Sequence, residues 1–179
     1  MMKDRRYKQA ALEYALGKLW FPQLELVVHS TKSVSRKPFD ITDIDVYAAV
    51  PDDFLGYRSI LFNCKSGMKE SPITRAMWVS GLMTFFHADR GICIFNDEKS
   101  ISIDHRETAS DLNVSLMTAS EFNLFAQATD MQIASSQSNL GDIDKWDKFF
   151  QIPQKYKNLD VALSYSSSKF WAYSHVGDS

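Results

Sequence analysis

Three β-type runs follow one another within residues 24–65, and the next apolar strand arrives only after a helix. That order restricts the chain more than any other feature. LELVVH (residues 24–29), ITDIDVYAAV (41–50) and YRSILFNCK (57–65) are separated by a basic, Ser/Thr-rich loop, STKSVSRKP (30–38), and by PDDFLG (51–56), a turn by composition. Neighbouring strands with short connections can pair as an antiparallel meander. Ser71-Pro72 then supplies an N-cap and a first-turn proline, so a helix is expected from there to about Ala88, stopping near Gly91. Its apolar positions are Ile73, Met77, Val79, Leu82, Met83, Phe85 and Phe86. GICIF (91–95) is a continuous apolar run of the kind buried on both sheet faces. A strand reached through a helical crossover joins parallel to its predecessor. The expected class is an α/β sandwich with a mixed sheet.

A helix is also expected from Asp4 to Trp20, with Leu12, Leu16, Leu19 and Trp20 as the core stripe, Tyr7, Ala11, Tyr14 and Lys18 along one flank, and Pro22 ending it. Ile101 and Ile103 suggest a short strand, and Ser120 a cap for a helix over Glu121–Ala128. ATDMQIASSQSNLGDIDKW reads as polar loop, and LDVALSYSSSKFWAYS (159–174) as a Ser-rich strand. Residues 1–128 form the expected core domain. Residues 129–179 are an extension that completes the sheet or leads to a further domain, the pattern of a fragment of something longer.

Composition narrows the function classes. Of 179 residues, 45% are hydrophobic and 23% charged, which suits a globular domain. The formal charge is −2, without a global basic excess, yet residues 1–37 carry eight basic and three acidic side chains and residues 76–179 eight basic and thirteen acidic. The first region is a candidate face for a polyanion. Two cysteines, Cys64 and Cys93, sit in apolar runs and read as reduced, buried thiols. No apolar stretch is long enough to span a membrane, and MMKDRRYKQA has no apolar segment behind its charges. The expected location is cytoplasmic. No Walker A loop, GxGxxG, GxSxG or HExxH occurs, and His29, His87, His105 and His175 stand far apart.

The chemistry-bearing residues fall on two adjacent strands. Asp43 and Asp45 share one face of the second, and period 2 places Asn63 and Lys65 together on the third, with Cys64 opposite. If these strands form a hairpin, Asp45 converges with Asn63 and Lys65. Oxygen ligands beside a lysine suit a hard cation such as Mg²⁺, and metal plus lysine suit phosphodiester hydrolysis.

TDIDVYA (42–48), ILFNCKSG (60–67), the helix opening SPITRA (71–76) and DRGICIF (89–95) together resemble the PD-(D/E)XK nuclease superfamily, the restriction-endonuclease-like fold. The resemblance covers roughly residues 5–128 and implies an αβββαβα core, a mixed sheet flanked by helices. It implies Asp45 as metal ligand, Asn63 and the Cys64 carbonyl completing the protein ligands of Mg²⁺ or Mn²⁺, Lys65 assisting the water, and Glu13 of ALEYAL as the first-helix glutamate. The departure is Asn63, where the family carries Glu, Asp or Gln. In some members the carboxylate moves to the following helix, and Glu70 is the candidate here. Asp43 reads as a flanking surface residue. Lys32, Arg36 and Lys37 would grip a nucleic-acid backbone, and Arg75 a phosphate or a nearby carboxylate.

The expectation is therefore a metal-dependent nuclease acting on DNA, with a homodimer admitted by the resemblance. The alternative is a silent domain of the same fold that binds nucleic acid or a protein partner.

Overall fold

The computed structural model describes residues 4–29, 40–52, 56–67, 69–129 and 141–172. The elements in chain order are α1 (Arg5–Gly17), β1 (Phe21–His29), β2 (Asp40–Asp52), β3 (Gly56–Lys65), α2 (Pro72–Phe86), β4 (Arg90–Phe95), α3 (Ile103–Asp111), β5 (Val114–Thr118), α4 (Ala119–Ala128), α5 (Ile143–Phe150), α6 (Ile152–Lys155) and α7 (Asp160–Ala172), with a 3₁₀ turn at Lys157–Leu159. The five strands form one sheet in the order β1-β2-β3-β4-β5. β1, β2 and β3 pair antiparallel, and β4 and β5 continue parallel to β3. The chain is thus an α/β protein with a mixed five-stranded sheet flanked by helices.

Two buried clusters lie on the two faces. One joins Ala11, Tyr14 and Ala15 of α1 and Phe122 and Ala126 of α4 to Leu24, Val46, Phe62, Cys64, Ile92 and Ile94. Tyr14 meets Phe62 and Phe122 edge-on, at ring separations of 6.2 and 5.4 Å. The other joins Ala76, Val79 and Met83 of α2 and Ala109 of α3 to Leu26, Ile44, Leu61, Cys93, Val114 and Leu116. Gly91 permits the close approach of α2: a Cβ there would lie 2.5 Å from Val79 Cγ1. Cys64, Val46, Ile44, Cys93 and Ile94 are all buried, as expected. Both thiols are free. Burial pushes Cys93 up to about 12 and Cys64 well above its ordinary range.

Several local expectations are corrected. α1 stops at Gly17, so Leu19 and Trp20 leave the helical period, and Leu19 is exposed with a left-handed φ of 60°. Leu12 is fully buried as expected, and Tyr14, Ala11 and Ala15 pack into the core cluster on this side of the sheet. β1 begins at Phe21 and contains Pro22, which an edge strand tolerates. Pro51 and Asp52 extend β2, and residues 53–55 of the expected turn lie outside the described residues. α2 ends at Phe86 because His87 turns left-handed, and Met77 and Phe85 are exposed rather than core. Ile103 begins a helix, not a strand, because the Ser102 hydroxyl accepts the His105 N–H at 3.2 Å. The strand in this region is VSLMT, which the sequence reading passed over. The cap of α4 is Thr118, not Ser120: Thr118 and Glu121 form a reciprocal capping box. Asp142 caps α5 inside the stretch read as loop, whereas residues 130–140 of that stretch lie outside the described residues. Residues 160–172 are helical, with Asp160 in the first turn favouring the helix start.

Candidate functional site

Asp45 ends the ladder between β2 and β3. The register runs from Asp52↔Gly56 to Val46↔Phe62 and stops there. One step further, Asp45 Oδ2 accepts the Cys64 backbone N–H at 2.7 Å and the Asn63 amide Nδ2 at 3.0 Å. The carboxylate thus takes a donor that a strand would otherwise bond, and it occupies the gap between the two strands. Asp45 and Asn63 are each 5% exposed. Asn63 and Asp45, expected together from strand alternation, are in direct contact, but as a buried pair rather than on a solvent-open edge.

The other Asp45 oxygen faces α1. Lys8 Nζ lies 2.9 Å from Asp45 Oδ1 and also pairs with Glu25 of β1. Lys8 is only 3% exposed. Its ammonium is placed by the docking of α1, whose Ala11 and Ala15 let the helix sit close to the sheet. Asp4, just before the helix, accepts the Ser66 N–H at 2.8 Å and ties the start of α1 to the end of β3.

Glu25 has a left-handed backbone, with φ 51° inside a strand. That conformation costs a non-glycine residue about 1–3 kcal/mol. Its effect is visible in the neighbours. Leu24 and Val46, paired across the ladder, belong to the α1 face, while the next pair outward, Leu26 and Ile44, belongs to the α2 face. Period 2 would put Ile44 and Val46 on one face. The alternation reverses at the level of Glu25 and Asp45, so both carboxylates stand where the two core layers meet.

Carboxylate oxygens of Glu25, Asp43 and Asp45 lie within 4.8 Å of one another, a group that could hold a metal ion. Asp43, read as a flanking surface residue, is exposed and still belongs to this group. Two of the three, Asp45 and Glu25, pair with the one ammonium of Lys8. Burial by itself would lower the pKa of Lys8, but Asp45 and Glu25 outweigh it and hold the ammonium above its ordinary value. Burial raises Glu25, and the neighbouring Asp45 and Asp43 add to that shift, together exceeding the opposing pull of Lys8. Asn63 Oδ1 is buried and has no hydrogen-bond partner among the described residues. A hard cation fits the three carboxylates, and Asn63, whose Nδ2 faces Asp45, carries an unused amide oxygen on the same side chain.

The remaining expected residues fall elsewhere. Lys65 follows Asn63 on the same strand face, half-buried at the end of β3, and forms no ion pair among the described residues. Cys64 contributes its N–H to Asp45, with its side chain in the core. Glu13 is five residues beyond Lys8, about 140° around the helix. It accepts a hydrogen bond from Gln9 and borders a groove of about 580 Å³ with Arg5, Arg6 and Asp142. The residue of α1 that reaches Asp45 is Lys8. Glu70 pairs with Arg75, whose guanidinium also lies 4.7 Å from the Trp78 ring centre. Arg75 thus meets a carboxylate, one of its two expected partners. Lys32, Arg36 and Lys37 lie outside the described residues. Lys8 and Glu25 were missed by sequence reasoning. The one available signal was an acidic residue in the middle of LELVV.

Comparison with known protein families, curated proteins and solved structures yields no match. Among the described residues no helix is long and apolar enough to cross a membrane.

Proposed function

We propose that this chain is a divalent-metal-dependent phosphodiesterase acting on nucleic acid, most simply DNA, on a restriction-endonuclease-like scaffold. The observation that carries the reading is the meeting of Asp45, Asn63 and two further carboxylates at the point where β2 leaves β3. The element order and the parallel β3–β4 pair support this reading, which takes Asp45, Asn63 and Lys65 as its strand-borne site residues.

Asp45 would hold a Mg²⁺ or Mn²⁺ ion with its neighbouring carboxylates, and Asn63 would add its amide oxygen. The ion, when bound, supplies an activated water and offsets charge on a phosphate. Lys65, beside Asn63 and in no ion pair among the described residues, would orient that water or bind a phosphate oxygen. Arg75 would first have to release Glu70 before it could bind phosphate.

A second reading is favoured by one contact. Lys8 already neutralises part of the charge on Asp45 and Glu25, as a purely structural ion pair would. A silent domain of the same fold, binding nucleic acid or a protein, is consistent with that contact and with Asn63. Cleavage of labelled duplex and single-stranded DNA in Mg²⁺ or Mn²⁺ separates the two. The nuclease reading expects cleavage that chelator stops and that Asp45→Ala and Lys65→Ala each abolish in a folded protein. Binding without cleavage under any divalent ion supports the silent domain.

A further inference from the structure

A strand-borne charge is missing at Asn63, and Glu70, the candidate to replace it, is committed to Arg75. We propose that Glu25 supplies that charge: the cation site is closed by a carboxylate from β1, a strand to which nothing in the superfamily pattern above assigns a ligand. This rests on the metal-dependent reading and names the residue that makes it possible without an acidic side chain on β3.

Four observations converge. The ladder sets Glu25 across from Asp45, between the pairs Leu24↔Val46 and Leu26↔Ile44. The left-handed backbone at Glu25 reverses the alternation of β1, so a residue that regular pleating would send to one face stands at the junction of both. Glu25 and Asp45 are close enough to share one positive charge, that of the Lys8 ammonium, which an incoming ion would have to displace. Finally, Asn63 is nine-tenths buried, faces Asp45 through its amide Nδ2, and leaves Oδ1 without a partner among the described residues. A half-turn of that amide would present oxygen to Asp45, which is favourable only with a cation between them. Glu25, Asp45 and Asn63 Oδ1 then form an all-oxygen set with Asp43 on its exposed side, and the charge missing from β3 is supplied from β1.

The test is calorimetric titration of the full chain with Mn²⁺ alone. Glu25→Gln should weaken binding by about tenfold or more, and Glu25→Gln with Asn63→Asp should recover most of that loss. Glu25→Asn is a second single variant, since asparagine tolerates the left-handed backbone while removing the charge, and the same loss is expected. Unchanged binding in both single variants, alongside lost binding in Asp45→Asn, would overturn the role of Glu25 and leave the metal-dependent reading standing. Failure of Asn63→Asp to restore binding would likewise overturn it. No Mn²⁺ binding by the wild type would overturn both.

Discussion

Two charged clusters brace this fold, and they are built on opposite plans. At the start of α4, Glu121 accepts the Thr118 N–H at 2.7 Å and pairs with Arg106 at 2.8 Å, while Arg106 donates to the Leu116 carbonyl at 2.7 Å. Charges balance one to one, the glutamate side chain is 43% exposed, and each part has a structural duty. Under α1, Asp45 and Glu25 share one ammonium with Asp43 close beside them, Asp45 and Lys8 are buried, an amide oxygen has no partner among the described residues, and a strand residue is held left-handed. The first cluster is what stability alone selects. The second gathers excess negative charge from the buried Asp45 out to the exposed Asp43, beside a strained strand residue, which makes sense where a cation is to be received.

The largest expected effect tests that asymmetry. Lys8→Met leaves the carboxylates unpaired and should cost about 3–5 kcal/mol in chelator, read by urea unfolding. Mn²⁺ should recover much of it. A loss below about 1 kcal/mol would mean that the seam is not electrostatically tense. The capping corner should respond less. Glu121→Gln should cost about 1 kcal/mol at neutral pH, with no metal dependence. Its sign with pH is fixed by the folded carboxyl: burial alone would raise it, but the Thr118 N–H and Arg106 outweigh burial and hold it below its ordinary value. A lowered value gives stability that is present above the unfolded pKa and lost as pH falls through the folded one. The difference between wild type and Glu121→Gln should therefore shrink on acidification below about pH 4.5. The smallest stability effect belongs to Lys65→Ala, within about 0.5 kcal/mol, because Lys65 is half-buried and unpaired among the described residues. Its loss of cleavage would then be a functional effect, not a folding defect.

Much of this arrangement was legible in the residues. Successive β-type runs, the Ser71-Pro72 helix start and the continuous GICIF run place four strands and the crossover helix correctly, because each rests on local periodicity or capping. The Asp45–Asn63 contact followed from strand pairing plus period 2. Lys8 did not, since its reach depends on the docking of α1, set by Ala11, Ala15 and the Asp4–Ser66 bond. Glu25 was hidden for the opposite reason. Reading LELVVH assumes unbroken pleating, and the left-handed residue breaks it. Residues 160–172 alternate weakly and could be read as strand; Asp160 in the first turn was the overlooked helix signal.

The central claim is that the seam under α1, and not the balanced corner at α4, receives the cation. Mn²⁺ broadening of backbone amide signals in the ¹⁵N-labelled chain tests this most directly. At substoichiometric Mn²⁺, the amides of Glu25, Asp45, Asn63 and Cys64 should vanish first, while those of Thr118 and Glu121 persist. Broadening that begins at Thr118 and Glu121, or spreads evenly over exposed carboxylates while the seam stays sharp, would contradict it.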